Sequence, residues 1–126
     1  FPERQEPASI AGMVLGSILI DVDHVPLLVL KLPMESAEDR PVTHSLVTLA
    51  VVAGLSRVTS GEAGSVLSGI AAGTTCHFIR DLATGGAPLA WPATRRLLSV
   101  PYIAYAGLLA ALVVNARVVR PTSRVP

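Results

Sequence analysis

Seven side chains that could do chemistry fall in three short stretches of this sequence: Asp21, Asp23 and His24 in "LIDVDHV", Arg40 and His44 in "RPVTHS", and His77 and Asp81 in "HFIRD". They include all three histidines of the chain and three of its four aspartates. Imidazole and carboxylate together make a ligand set for zinc, manganese or iron. His77 and Asp81 are four residues apart and share a helix face, so one helix can offer both to one ion. Asp21 and His24, three apart, share a face if their helix continues, whereas Asp23 points elsewhere unless the backbone unwinds there. Six or seven candidates exceed what one tetrahedral zinc uses, so one or two divalent ions are expected, with zinc or manganese preferred. A pair of ions about 3.5–4 Å apart activates a water and stabilises a leaving oxygen, the usual arrangement for phosphoester hydrolysis. Arg40, beside the cluster, would bind the anionic group being cleaved.

Plainer roles compete for the same residues. Asp21, Asp23 and His24 would also suit a polar helix end facing water, and "THS" at 43–45 would suit first-turn capping. His77 could bond Asp81 within its helix, or Arg80 could pair with Asp81. Thr43 and Ser45 are read as supporting residues, Cys76 as a small buried one, and "TGGAP" at 84–88 as a turn rather than an anion nest.

Four helices are expected to carry these residues, over Ala8–Ile20, Pro41–Arg57, Ala63–Asp81 and Leu98–Val119. Pro41 suits a first helical turn, where its missing N–H costs nothing, and Pro26 discourages helix beyond Val25. If consecutive helices run antiparallel, the end of the first, the start of the second and the end of the third meet at one side of the bundle. All seven of these candidate site residues would then converge.

The surroundings are apolar. Hydrophobic residues make up 51% of the 126 and charged residues 15%, with a mean hydropathy of +0.57. Soluble domains carry about 25% charged residues. The run Leu98 to Ala116 is uncharged and of a length that about 20 apolar residues need to cross a bilayer. The runs Pro41 to Ser56 and Ala63 to Ile79 are shorter and richer in Gly, Ser and Thr, which suits close packing in a membrane. The expected fold class is therefore all-α, a single-domain multi-pass transmembrane bundle of about four helices, with a soluble helical bundle as the weaker rival. Membrane lipid is the expected partner, and a net charge of +1 argues against nucleic acid. Basic residues divide evenly between the two ends and give no orientation. The opening "FPERQEP" reads as a connector, which leaves room for a preceding segment.

"DVDH" after an apolar helix, "RPVTHS" opening the next, and "CHFIRDLATGGAPLAWP" closing the third resemble the membrane-bound metal-dependent hydrolase family, also described as LexA-binding, inner-membrane-associated hydrolases. The resemblance covers roughly residues 10 to 118. It implies a small multi-pass protein of the bacterial inner membrane with a hydrolase site, distantly similar to zinc phospholipase C and P1-type nucleases. Asp21, Asp23, His24, His44, His77 and Asp81 match the family's motif positions. Ile20 stands where the family more usually has proline, and Asp39, Arg40 and Pro41 where it has His-Arg-Gly, which keeps Asp39 as a further candidate ligand. Members commonly begin with one more helix bearing a histidine.

The function expected from the sequence is hydrolysis of a phosphoester or lipid-like ester by metal-activated water, with Arg40 and His44 at the reacting centre. A non-enzymatic membrane protein in which an ion ties helix ends together, serving as scaffold or binding partner, is the alternative. A metal or proton transporter is the third reading. The oligomeric state is not given by the sequence.

Overall fold

The computed structural model describes residues 5–25, 29 and 43–119. It contains α1 (Gln5–Leu19), a 3₁₀ turn (Ile20–His24), α2 (Leu46–Val58), α3 (Gly61–Thr84) and α4 (Tyr102–Val119). Among the described residues there is no strand, only one isolated antiparallel bridge between Ala87 and Leu98. The expectation of four helices in an all-α chain is met.

Backbone contact joins α1 to α3. A Cβ on Gly12 would stand 2.1 Å from the Val66 carbonyl oxygen, and one on Gly16 would stand 2.2 Å from that of Ile70. Reciprocally, a Cβ on Gly69 or Gly73 would stand 2.0 Å from the carbonyl oxygens of Ser9 and Met13. Glycines four apart on each helix thus form a seam with no room for a methyl, the small-residue packing used where helices associate in lipid. His77 and Asp81 continue the row of Gly69 and Gly73 at the same four-residue interval.

Polar and apolar side chains have exchanged places relative to a water-soluble bundle. Among the described residues the buried polar set is His44, Ser45, Thr74, His77 and Asp81, against Ala8, Phe78, Ala87 and Leu89 as buried hydrophobics. Ile10, Val14 and Ile18 on α1, Val51 and Val58 on α2, and Ile103, Leu112 and Val114 on α4 are exposed.

The expected transmembrane spans require correction. Among the described residues no helix is long and apolar enough to cross a membrane. The run from Leu98 does not begin as helix, because Leu98 exchanges two 3.0 Å hydrogen bonds with Ala87 and the Val100 amide donates to the Leu82 carbonyl. That leaves the 18 residues of α4, with Arg117 among them. The 13 residues of α2 and 15 of α1 reach roughly 20 Å at about 1.5 Å per residue, short of the ~30 Å hydrocarbon core. α3 has the length, at 24 residues, but its Gly, Ser and Thr, with Arg80 and Asp81, hold its hydropathy down.

One smaller expectation also changes. Cys76 is exposed rather than buried. Val25 itself has helical torsions, φ −59° and ψ −44°, and residues 26–28, where Pro26 is expected to discourage helix, lie outside the described residues.

Candidate metal centre

The glycine seam sets the end of α1 against the last turns of α3. Thr74 Oγ1 donates to the Gly16 carbonyl at 3.3 Å, and His77 Nδ1 lies 3.0 Å from the Ser17 carbonyl oxygen. A carbonyl only accepts, so Nδ1 carries the proton. His77 Nε2 is then the lone-pair nitrogen of the neutral ring, the usual way a protein presents a ligand histidine.

Beyond Leu19 the chain tightens into the 3₁₀ turn. With about three residues per turn, Asp21 and His24 come to one side, with His24 Nδ1 3.9 Å from Asp21 Oδ1. The change of helix type also turns Asp23 inward: its Oδ1 lies 2.8 Å from His24 Nδ1, and its Oδ2 accepts from the Thr43 hydroxyl. His44 follows, almost fully buried at 1% exposure. Its place is fixed because the next residue, Ser45, is extended and buried, and the Leu46 amide donates to the Leu89 carbonyl at 3.0 Å. The His44 ring centroid lies 5.1 Å from that of His24 and 5.5 Å from that of His77.

Two imidazole nitrogens and two carboxylate oxygens meet at the centre. His77 Nε2 is 3.4 Å from Asp21 Oδ1 and 3.2 Å from Asp81 Oδ2. His44 Nε2 is 3.7 Å from Asp21 Oδ1 and 3.6 Å from Asp81 Oδ2. On its other side, His44 Nδ1 is 3.5 Å from Asp23 Oδ2. Ligand atoms of Asp21, His44 and His77 all lie within 4.8 Å of one another, as do those of Asp23, His24 and His44. Neighbouring donors around a tetrahedral zinc, each about 2.0–2.1 Å from it, stand roughly 3.3 Å apart.

Neither nitrogen of His44, nor Nε2 of His77, has a hydrogen-bond partner, although all three are buried. Leaving such a group unsatisfied costs about 1–3 kcal/mol. Burial holds the Asp23 carboxyl above its usual range, outweighing the attraction of His44 and His24. Burial likewise holds the His44 imidazole below its usual range, outweighing Asp23 and Asp81. Both effects favour uncharged groups, and a cation would reverse the first while using the neutral form of the second. The residues present therefore fit a divalent ion in donor type, spacing and unmet bonding.

A match across residues 1–126 links the chain to the family model described as YdjM inner membrane protein. The chain belongs to the YdjM inner membrane protein family. No curated protein and no solved structure matches it significantly. Membership agrees with the apolar exterior of this YdjM-family chain and makes it membrane-associated.

Of the residues singled out by sequence, Asp21, Asp23, His24, His44, His77 and Asp81 are brought together, while Asp39 and Arg40 lie outside the described residues. The "TGGAP" segment is a helix stop: with Gly86 at φ +87°, the amides of Gly85 and Gly86 both donate to the Asp81 carbonyl, at 3.1 and 2.7 Å. Sequence reasoning missed the Ser17 carbonyl, which no side chain announces. The four-residue glycine spacing on two helices was the signal that would have placed it.

Proposed function

We propose that this YdjM-family protein is a membrane-associated, metal-dependent hydrolase of amphiphilic esters, phosphoesters included. The observation that carries this is the buried Nε2 of His77, set by the hydrogen bond of Nδ1 to the Ser17 carbonyl, facing carboxylate oxygens of Asp21 and Asp81 and without a hydrogen-bond partner of its own. Asp21, His44, His77 and Asp81 would hold the ion, zinc or manganese by donor type. When bound, such an ion supplies Lewis acidity and lowers the pKa of water at the site.

The chain's own residues do the rest. Asp21, 53% exposed at its side chain, marks the open side of the cluster. Leu19, Val22 and Val25 are exposed around it and would seat the apolar part of a substrate, which favours a lipid-like molecule over a freely soluble one. His24, partly exposed beside Asp23, is placed to move a proton between the site and solvent. Arg40, by its position in the sequence, would neutralise an anionic leaving group.

Metal content of detergent-purified protein tests the reading, with wild type beside a His77→Ala, Asp81→Ala double variant. About one ion per chain is expected in the wild type and none in the variant, with ester turnover tracking the metal. Absence of stoichiometric zinc, manganese or iron from the wild type would refute it. A second reading is favoured by the burial of His44, His77 and Asp81: an ion held by three separate segments would staple the bundle without reacting. Metal that raises the unfolding temperature but supports no turnover would select that reading.

A further inference from the structure

We propose that Asp23, supported by Thr43, is a positioning residue for His44 rather than a metal ligand: its carboxylate accepts a hydrogen bond from the Nδ1–H of His44, so that Nε2 of His44 faces the same ion as Nε2 of His77. The proposal rests on the metal reading above and states which part of the cluster the ion touches.

The constraint begins at His77. Its Nδ1–H is committed to the Ser17 carbonyl, so its lone pair is on Nε2, facing Asp21 and Asp81. The ion belongs on that side. His44 Nε2 stands over the same two carboxylates, at 3.7 and 3.6 Å. A neutral imidazole has one proton and one lone pair, so a His44 that gives Nε2 to this ion keeps its proton on Nδ1. Asp23 Oδ2 is the acceptor facing Nδ1, at 3.5 Å, a gap that a small ring rotation closes to hydrogen-bond length. That oxygen is itself anchored by the hydroxyl of Thr43, the residue before His44 in the chain. A carboxylate behind a ligand imidazole fixes the tautomer and the ring orientation.

The competing arrangement places a second ion among Asp23, His24 and His44. It would require lone pairs on both His44 nitrogens at once, which a neutral ring does not have.

Zinc stoichiometry and affinity, measured by chelator competition on the full chain in detergent, decide between the two. One zinc per chain is expected in wild type and in Asp23→Ala and His24→Ala alike. Affinity should fall about tenfold to a hundredfold in Asp23→Ala, and less in Asp23→Asn, whose amide oxygen still accepts from Nδ1–H. The isosteric Thr43→Val should weaken zinc binding without loss of helical circular dichroism. Nitrogen-15 spectra of the metal-free protein should show His44 protonated at Nδ1, with that preference reduced in Asp23→Ala. Two zinc ions in wild type falling to one in Asp23→Ala or His24→Ala would overturn the proposal, and so would a wild-type His44 protonated at Nε2. Zinc bound with unchanged affinity by Asp23→Ala sinks this proposal alone, whereas a wild type that binds no zinc sinks the metal reading as well.

Discussion

Burial favours the neutral form of His44, and the response of this residue to acid follows from that. The folded-state pKa of His44 is lowered from 6.5 by burial. The unfolded chain therefore takes up its proton first as pH falls below about 6.5, and stability falls with it. Asp23 works in the opposite sense: its folded-state pKa is raised above 3.8, so the folded state gains its proton first and recovers stability toward that pH. Metal-free protein is expected to lose thermal stability between pH 7 and the mid-5 range, as read by its unfolding temperature. The loss should shrink in His44→Gln, and an equal acid sensitivity in that variant would contradict the assignment. Residue types were the most legible part of the sequence, because imidazole and carboxylate together make a metal-ligand set and their spacing within each stretch was plain. Partners supplied by the backbone, such as the carbonyl that fixes His77, leave no mark in residue identity.

Helices are placed by what touches their backbones. Gly16→Ala or Gly73→Ala would press a methyl into a facing carbonyl, and the two helices must separate to admit it. A cost of about 1–3 kcal/mol is expected, together with weaker zinc binding, because the same seam carries Ser17 to His77. Gly54 and Gly107 are the matched controls, since nothing lies within 4 Å of a Cβ at either. Alanine there should stabilise by about 0.5–1 kcal/mol through helix propensity alone. Thermal unfolding in detergent checks all four variants, and equal effects at the seam and control sites would remove the seam from the account. Helix existence was readable from apolar runs, but starts were not. Pro41 suggested one start, yet α2 begins at Leu46, after Ser45 extends to dock on the 85–101 loop. Leu98 suggested another, yet pairing with Ala87 delays α4 to Tyr102.

At the scale of the whole molecule, the apolar exterior is the dominant physical fact. Exposed patches of this extent are unstable in water, and the family is an inner membrane one. The protein is expected to stay with the membrane fraction through high-salt and alkaline washes and to leave it only with detergent. Release by salt alone would show that charge, and not the aliphatic surface, holds it there. Composition made the membrane setting legible. Crossing geometry was not, because hydropathy counts residues without knowing where a helix begins.

The four-residue row Gly69, Gly73, His77, Asp81 also sets how this chain tolerates insertions and deletions. One residue added between Gly73 and His77 turns everything after it by about 100°, carrying His77 and Asp81 off the face that meets α1 while the seam behind them stays intact. The same insertion in the loop after Gly86 changes no angle between the seam and these two residues. Length variation compatible with the site is thus confined to the connections, while the segment from Gly69 to Asp81 behaves as a ruler of fixed length.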